Sequence, residues 1–377
     1  MRILFISHIC DRSGASIALL QELRFLKENH KEFDADVLML KRGELFEDFG
    51  KQYPVLYKKE YNNSIHHRIL RKFRKEKYRY PYLSLCKKGK YDCIYANTVA
   101  TFDAAIRIKN KLGIPIIGHV HEAESLFVTF NINGEDLKEF EHIITVSELA
   151  KDNLVKTYGY PVDKISIQHP YSIWLESYIK GDVIINPIKF EPGVFTIGLF
   201  CSGGWQKSLE TLPFVISTFY KKYPKANCKF IIAGGIPKHI LYHTEYDLKK
   251  MHLYEKTTWI GKVEKPLDYQ AGFDVFLLLS REESFSLTAE EAAITGTSIV
   301  GFEGATGAAE WIKEGAGILV PYMNFEKMAE AIYKLYSDEE LRTTMGKKGK
   351  EIITVLYNKN YNMETIINII KGYEKNN

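Results

Sequence analysis

Short apolar runs alternate with helical segments along most of this chain, and they do so in two separate series. The first series begins near the N-terminus and reaches residue 169, and the second begins at Phe195. Such runs predict strands buried on both faces, and their alternation with helices predicts parallel sheets covered by helices. The chain has 377 residues, 45% of them hydrophobic, which suffices for two cores. The sequence therefore predicts an α/β protein with two doubly wound domains.

The predicted strands end in polar or glycine-containing turns, which places those turns on one edge of each sheet. In the first series the predicted strands are 3–6, 36–40, 92–96, 114–121, 143–146 and 165–169, and in the second they are 195–201, 230–233, 258–260, 275–279, 298–302 and 317–320. The polar segment 174–192 is interpreted as the linker between the domains. A final amphipathic helix, which Asn362 could cap, needs a surface on which to bury its apolar face.

The stretch 276–301 carries the clearest binding signal. A buried strand ends at Ser280, two acids follow, and a helix is predicted from Leu287 to Thr295 with Gly296 as its stop. A strand, a polar turn and a helix start bring backbone N–H groups and the positive end of the helix dipole together, which suits an anion such as a diphosphate.

Two glutamates flank this phosphate site. Glu283 and Glu291 would lie roughly 10 Å apart at helical rise, which is wider than the separation of about 5 to 9.5 Å typical of glycosidase carboxyl pairs. They are better placed to hold separate parts of one long ligand. On spacing alone a second interpretation is equally good, because Ser280 with Glu283 and Thr288 with Glu291 both match the S/T-x-x-E capping box.

Three further candidates follow other strands. Gly14 lies in the turn after the first strand, where a glycine more often serves the turn itself, and the G-x-G-x-x-G fingerprint is absent. His119 and His121 lie at the end of a strand and share one face by alternation, although a histidine there is more often structural. Lys207 follows the first strand of the second series and could contact a phosphate, although a surface lysine is the usual explanation.

Positive charge is concentrated in residues 65–90. The formal net charge of the chain is +4, yet this segment holds ten Lys or Arg residues against Glu76 alone, with aromatic residues between them. An anionic membrane surface or acceptor is the first interpretation and a solvated surface helix the second. Nucleic acid is the last, since no base-reading motif accompanies the charges, so we expect no nucleic-acid partner.

The cysteines and the N-terminus bear on the compartment. Five cysteines without C-x-x-C spacing indicate neither a disulfide framework nor a zinc site. The first ten residues become polar too soon for a signal peptide, and no apolar run approaches the ~18 residues of a spanning helix. We expect a cytoplasmic protein, or one peripheral at the inner face of the membrane.

With these features assembled, the chain resembles the GT-B glycosyltransferases of glycosyltransferase family 4, the retaining group with the E-x7-E motif. The most specific match runs from Ser280 through Glu283, Phe285, Leu287 and Glu291 to Gly296. Weaker agreements are His121-Glu122, Lys207, the Glu310-Trp311-Ile312 turn and the C-terminal segment from Tyr361. There are departures: Ser284 and Ser286 stand where the family usually has glycine, and an arginine is missing near Ser202.

The resemblance implies a GT-B fold of two Rossmann-like domains facing a cleft. Residues 1–180 would bind the acceptor, 181–360 would bind a nucleotide sugar, and a helix in 361–377 would cross back to the first domain. The implied reaction is transfer of a sugar to a glycan or lipid-linked acceptor hydroxyl with retention, in surface polysaccharide or glycolipid synthesis, with no metal and no other cofactor.

The resemblance also implies roles for individual residues. Glu283 and His121 would contact the donor sugar as catalytic residues, and Glu291 would contact the ribose. Gly14 would lie in the loop near the reacting centre. Lys207 and the backbone of the polar turn would hold the diphosphate, and backbone near Val263 would receive the base. The residues assigned to the turn are Ser284, Phe285, Ser286, Leu287 and Thr288.

Two alternatives stay open. A catalytically degenerate nucleotide-sugar-binding or scaffold protein is suggested by the two serines and the missing arginine. An epimerase or phosphorylase on the same fold is the third reading, and no lysine motif for a pyridoxal cofactor supports the latter.

Overall fold

The computed structural model describes residues 1–58, 80–179, 181, 183–185, 192–356 and 359–374. The chain divides into two compact units. The first unit comprises Met1–His169 together with Lys359–Asn377, and the second comprises Pro170–Asn358. The chain passes from the first unit to the second after His169, whereas the sequence analysis places the domain boundary after residue 180. Most of the basic segment 65–90 lies outside the described residues.

The first unit is built on a parallel seven-stranded sheet with the order β3-β2-β1-β4-β5-β6-β7. Many residues of its central strands are Val, Ile or Leu with no exposed surface, as expected for strands covered on both faces. The strands are β1 Arg2–Ser7, β2 Asp34–Met39, β3 Val55–Tyr57, β4 Cys93–Asn97, β5 Ile116–Val120, β6 His142–Thr145 and β7 Ile165–Ile167.

Helices connect these strands, and local sequence sets several of their ends. Ser147 caps one helix by accepting a hydrogen bond from the Ala150 N–H, and Gly113 ends another at φ +71°, a conformation that glycine adopts readily. In the described part of this unit before residue 170, the α-helices are α1 Gly14–Asn29, α2 Phe46–Gly50, α3 Phe102–Leu112, α4 Glu124–Thr129, α5 Gly134–Leu137 and α6 Glu148–Lys156.

The second unit repeats the arrangement with a parallel six-stranded sheet in the order β10-β9-β8-β11-β12-β13. Its core consists of apolar residues of the strands and of the helices that flank them. The strands are β8 Phe195–Phe200, β9 Cys228–Ala233, β10 Thr257–Gly261, β11 Val275–Leu278, β12 Ser298–Phe302 and β13 Gly317–Val320.

The helices of the second unit begin just after the point where the chain leaves the first. They are α7 Ile173–Ile179, α8 Leu212–Lys222, α9 Lys238–Lys250, α10 Pro266–Gln270, α11 Leu287–Ile294, α12 Ala309–Trp311, α13 Phe325–Ser337 and α14 Glu339–Leu356. A π-helical turn, Ile312–Ala316, follows α12. The last helix of the chain, α15 Lys359–Lys371, belongs to the first unit.

In each sheet the strand order reverses at one point. In each sheet the first strand lies in the interior, with its second strand on one side and its fourth on the other. Open α/β sheets bind ligands outside the carboxyl ends of the strands at this switch point. In the first unit these ends belong to β1 and β4, and in the second they belong to β8 and β11.

The prediction of two doubly wound sheets is confirmed, and several details of it are wrong. The supposed linker 174–192 begins with helix α7, because buried Leu175 gives that segment an apolar anchor. Asn362 lies inside α15 and does not cap it. Strand β3 was not predicted, because its three residues are only partly buried and too few to establish a pattern.

Two further observations concern the whole chain. All five cysteines are free thiols in buried positions. Among the described residues, no helix combines the length and the apolarity needed to cross a membrane.

Candidate functional site

An ion pair joins the two turns at the switch point of the second unit. Lys207 closes the short 3-10 helix Trp205–Lys207 after β8, and its Nζ contacts Oε1 of Glu283, which follows β11. The Ser280 hydroxyl donates to Oε2 of Glu283 at 2.7 Å. Only 12% of the Glu283 side chain is exposed. The structure therefore brings together two of the residues that the sequence analysis assigns to the donor.

The backbone of Glu283 is fixed by a third turn. Its N–H donates to the Ala305 carbonyl at 2.8 Å, and its carbonyl accepts from the Gly307 N–H at 2.9 Å. These two residues lie in the turn after β12. Turns from three neighbouring strands thus determine where the Glu283 carboxylate lies.

Helix α11 begins directly after this acidic turn. Its N-cap is Ser286, whose side chain accepts a hydrogen bond from the Ala289 N–H. Leu287 and Thr288 form its first turn, where backbone N–H groups have no partner within the helix and can face an anion. The capping alternative does not hold for either glutamate, because neither Ser280 nor Thr288 occupies the N-cap.

The two serines that depart from the family pattern are both buried. Ser286 has φ −134°, an extended conformation that needs no glycine, and its hydroxyl is used as the cap. The turn therefore accommodates a side chain at this position, and the substitution supplies a hydrogen bond that glycine could not make.

Glu291 and its neighbour Glu290 both hold Ser172, near the start of the second unit. The Ser172 hydroxyl donates to Oε1 of Glu291 at 2.5 Å, and the Ser172 N–H donates to Oε2 of Glu290 at 3.0 Å. Burial raises the pKa of Glu291 from 4.5 to about 7, against the effect of the serine hydroxyl. Burial also raises the pKa of Glu290 well above 4.5. Nothing in the local sequence signals Ser172, because it lies far from Glu291 along the chain.

An arginine lies beside Lys207 although none follows β8. Arg281 donates from Nη1 to the Trp205 carbonyl at 2.9 Å and pairs with Glu210. The backbone N–H of Arg281 donates to the Gln206 carbonyl at 2.8 Å. Arg281 thus ties the turn after β11 to the turn after β8, and sequence reasoning did not assign it a role.

Two other predicted binding positions lie at the carboxyl edges of the sheets. Gly14 is the first residue of α1 and is exposed, in the connection from β1. Val263 follows β10, the edge strand of the second sheet, and is partly buried.

In the first unit, His121 follows β5 and is held by Asn97 at the end of β4. The His121 Nε2 lies 2.9 Å from Oδ1 of Asn97. The ring of His119 lies against that of His121 with centroids 3.9 Å apart, as expected from their alternation. The Glu122 carboxylate accepts from the N–H groups of His121 and Val99, at 3.0 and 3.1 Å. Glu122 therefore orients the backbone that carries His121.

A buried acid lies behind these histidines. The Tyr95 hydroxyl donates to Oε2 of Glu22 at 3.2 Å and lies 2.6 Å from Nδ1 of His119. Burial raises the pKa of Glu22 from 4.5 to about 7 and lowers the pKa of His119 to about 3. Burial, and then the neighbouring His119, hold the pKa of His121 well below 6.5. His121 is thus neutral at physiological pH.

Sequence reasoning did not find Asn97 and Tyr95. Tyr95 and Asn97 share one face of β4 by alternation, and Asn97 pairs in register with His119 of β5. Strand alternation across two neighbouring strands was the available signal, because side chains on one face of adjacent strands lie within reach of each other.

Models of two protein families match the chain. Glycosyltransferase Family 4 matches residues 14–170, and Glycosyl transferases group 1 matches residues 208–352. The matches together cover most of both units.

Relatives and solved structures agree with these matches. The chain is 29% identical over 141 residues to N-acetyl-alpha-D-glucosaminyl L-malate synthase of Bacillus anthracis, covering 37% of this chain and 36% of that protein. It is 23% identical over 280 residues to D-inositol 3-phosphate glycosyltransferase of Paenarthrobacter aurescens (strain TC1), covering 69% of this chain and 67% of the relative. It thus spans about a third of the length of the first relative and two thirds of the second.

The fold is similar to that of Anabaena Alr3699/HepE in complex with UDP and glucose. The TM-score is 0.76 at 15% sequence identity, with 99% of this chain and all of the other covered. The two family models and this likeness of fold lead to one conclusion. The chain belongs to glycosyltransferase family 4, with the GT-B fold of two Rossmann-like domains.

Proposed function

We propose that this protein transfers a sugar from a nucleoside diphosphate sugar to a hydroxyl of a glycan or lipid-linked acceptor, with the anomeric configuration retained. The observation that carries the proposal is the contact between Lys207 and Glu283 at the switch point of the second sheet, beside the start of α11. A cation, a carboxylate and helix N–H groups at one sheet edge are the groups that a sugar diphosphate needs.

The donor diphosphate takes the place between Lys207 and the start of α11 in this proposal. The leaving phosphate gains negative charge as the glycosidic bond breaks, and a fixed ammonium group with aligned N–H groups stabilises that charge more than it stabilises the ground state. Because Lys207 and the backbone supply the positive charge, the reaction requires no metal. Transfer at an unchanged rate in the presence of EDTA is the expected result.

The two glutamates hold the two sugars of the donor. Glu283 is fixed through Ser280 and through its backbone, so its carboxylate can accept hydrogen bonds from donor-sugar hydroxyls without reorganisation. Glu291 accepts from the Ser172 hydroxyl and has acceptor capacity for the ribose hydroxyls as well. In the first unit, neutral His121 contacts the donor sugar in this proposal.

The nature of the substrates is supported by the relatives. HepE was solved with UDP, which makes UDP-sugars the first donors to test. Capsular polysaccharide biosynthesis glycosyltransferase CapM of Staphylococcus aureus is among the matched relatives, at 22% identity over 227 residues. Its name agrees with an acceptor in surface polysaccharide or glycolipid synthesis.

The test uses the purified protein with UDP-, GDP-, ADP- and dTDP-sugars, and the readout is released nucleotide with and without candidate acceptors. Glu291→Ala should raise the donor KM by about 10- to 100-fold, since it removes hydrogen bonds to a charged group. His121→Ala should mainly lower kcat, by about 100-fold. Exposed Glu303→Ala and His239→Ala are the matched controls.

Three results would count against the proposal. Donor binding without release of nucleotide would indicate the catalytically degenerate alternative. Interconversion of donor sugars without acceptor would indicate an epimerase. Native rates for both site variants would remove the assignment of the site, and NMR of the product decides whether the anomeric configuration is retained.

The membrane proposal rests on the charge of residues 65–90 and is tested separately. Anionic vesicles should retain the protein at low salt, because each Lys or Arg near such a surface contributes about 1 kcal/mol. Neutralising Arg71, Lys72, Arg74 and Lys75 together should release it. Retention unchanged by that neutralisation would contradict the proposal.

A further inference from the structure

Ser172 contacts the carboxyl groups of two successive residues of α11. It directly precedes helix α7, and only 3% of its surface is exposed. Its hydroxyl donates to Oε1 of Glu291 at 2.5 Å, and its N–H donates to Oε2 of Glu290 at 3.0 Å. All three residues belong to the second unit, so these contacts form within one domain.

The hydroxyl of Ser172 serves both as acceptor and as donor. Its oxygen accepts a hydrogen bond at 3.3 Å from the N–H of Trp174, the second residue of α7, which is the pattern of an N-cap. Because a backbone N–H can only donate, the single proton of the hydroxyl remains for Glu291. A hydrogen bond to an ionised carboxylate is stronger than one between neutral groups. The hydroxyl therefore fixes Oε1 of Glu291 and stabilises the anionic form of this side chain.

The two carboxyl groups have different surroundings. Glu290 has no exposed surface, and burial together with the neighbouring Glu291 raises its pKa well above 4.5. Glu291 keeps 6% of its surface exposed, and among the described residues only Ser172 donates a hydrogen bond to its side chain. Glu291 is therefore the carboxyl group that a ligand can reach, whereas Glu290 holds the backbone of Ser172 in place.

We propose that Ser172 is the positioning residue of Glu291: its hydroxyl holds Oε1, so that Oε2 is left to accept hydrogen bonds from the ribose hydroxyls of the donor. Ser172 itself is too deeply buried to bind the ribose, and its one hydroxyl proton is used by Glu291. This role rests on the proposed function, because it requires a nucleoside diphosphate bound beside α11.

A positioning role and a purely structural role of Ser172 predict different defects. Without the hydroxyl, the Glu291 carboxylate would have to be ordered by the ligand, and this cost falls on the hydrogen bonds to the ribose. The diphosphate and the base are held by other groups in the proposed function. Loss of the cap of α7 alone would instead lower stability and leave the recognition of the ribose unchanged.

The first experiment measures ribose recognition by calorimetry with UDP, GDP and ADP and with their 2′-deoxy and 3′-deoxy forms. The wild type should bind the ribose form of its preferred nucleotide about tenfold more tightly than a deoxy form, and Ser172→Ala should reduce this preference to about twofold. Ser172→Thr keeps a hydroxyl and should keep the preference. A folded Ser172→Ala protein with the wild-type preference would overturn the proposal.

Ser172→Gly removes the same hydroxyl at a smaller cost in stability, because glycine is well accepted at N-cap positions. It should lose the ribose preference as Ser172→Ala does, and it decides the question if Ser172→Ala does not fold. A wild-type preference in Ser172→Gly would contradict the positioning role.

The matched control removes a helix cap elsewhere in the second unit. The side chain of Asn324 accepts a hydrogen bond from the Lys327 N–H at 3.0 Å and caps α13. Asn324→Ala should therefore lose stability, as Ser172→Ala does, and keep the wild-type ribose preference. Loss of the preference in Asn324→Ala as well would mean that the readout follows stability, and the positioning role would be wrong.

A second experiment tests whether Ser172 acts through Glu291. Residues that act through one another are not additive, so Ser172→Ala should reduce the ribose preference no further in a protein that already carries Glu291→Ala. A further loss in the double variant would mean that Ser172 affects the ligand independently of Glu291, which would contradict the proposal.

Failure of the proposed function and failure of the positioning role give different results. If the wild type binds neither nucleoside diphosphates nor their sugars, the proposed function is wrong, and the role of Ser172 is lost with it. If the wild type transfers sugar but binds ribose and deoxyribose forms equally, the proposed function stands and Ser172 does not position a ribose ligand.

Discussion

At the scale of single residues, two cations at the same sheet edge have different surroundings. Lys207 pairs with Glu283, which is itself fixed by Ser280, whereas Arg281 pairs with Glu210 and a backbone carbonyl. A donor phosphate can replace the carboxylate partner of a lysine, because the ammonium group binds either anion as a point charge. The contacts of Arg281 join the turn after β11 to the turn after β8, so we assign Arg281 a structural role.

We predict that Lys207→Met lowers donor affinity or turnover by about 100- to 1000-fold with little change in stability, because it removes a charge from the leaving phosphate. Arg281→Met should instead lower the free energy of unfolding by about 1 kcal/mol, since hydrogen bonds between the turns are lost. Transfer kinetics and thermal unfolding of the two variants, with exposed Lys313→Met as control, test this. Equal losses of donor binding in both variants would make Arg281 a phosphate ligand.

Glu22 provides a second prediction at the residue scale. Burial raises its pKa in the folded protein from 4.5 to about 7, so the folded state retains a proton that the unfolded state loses in this window. The stabilisation is fully present below pH 4.5 and is lost as pH rises to about 7. Glu22→Gln, which cannot ionise, should gain stability relative to the wild type over this window, by on the order of 3 kcal/mol.

Denaturant unfolding of Glu22→Gln and of the wild type at several pH values between 4 and 8.5 measures this difference. Exposed Glu28→Gln on the same helix, α1, is the matched control and should give a difference that changes little with pH. A constant difference between Glu22→Gln and the wild type across the range would mean that Glu22 is ionised in the folded protein.

At the scale of elements, the turns at the carboxyl ends of the strands position the site and the helices begin from them. Helix α11 starts from the N-cap Ser286, one of the two serines that stand where the family usually has glycine. Its extended backbone lets a serine stand where glycine is usual, so its hydroxyl serves the helix and the N–H groups of the first turn stay directed toward the proposed phosphates.

We predict that Ser286→Ala lowers the free energy of unfolding by about 1 kcal/mol and that Ser286→Gly lowers it by only a few tenths of that, as for other N-cap positions. Thermal unfolding followed by tryptophan fluorescence measures both changes, with Ser337→Ala at the end of α13 as control. Equal stability of Ser286→Ala and the wild type would mean that the hydroxyl does not contribute as a cap.

At the scale of the whole molecule, the last helix of the chain completes the first unit. Met363, Ile366, Ile367 and Ile370 of α15 are buried. Polar contacts add to this packing, since Glu364 lies 3.3 Å from Nε2 of His30 and Lys371 lies 3.4 Å from Glu32. Exposed ion pairs contribute little, so the apolar side chains account for most of the attachment.

The two units can be followed separately in solution. All four tryptophans, Trp174, Trp205, Trp259 and Trp311, belong to the second unit. Tryptophan fluorescence therefore reports unfolding of the second unit, whereas far-UV circular dichroism reports both.

We predict that Ile370→Ala lowers the stability of the first unit by about 2 to 5 kcal/mol, the usual loss for a buried isoleucine truncated to alanine. The circular dichroism transition should shift to lower temperature, and the fluorescence transition should not. Ile332→Ala, an equally buried position on α13 of the second unit, should shift the fluorescence transition. The prediction fails if Ile370→Ala moves the fluorescence transition as far as Ile332→Ala does.

The sequence by itself determined the two series of strands and helices, the family, and the turns at which the site lies. These depend on local periodicity and on motifs such as Ser280 to Gly296, in which the informative residues are close in sequence. Only the tertiary structure decided that Ser172 binds Glu291, that Arg281 joins two turns, and that Asn97 holds His121. Each of these contacts joins residues that are distant along the chain, so no local pattern signals them. The shifted pKa values of Glu22, His121 and Glu291 belong with them, because burial is a property of the packed domain and not of the local sequence.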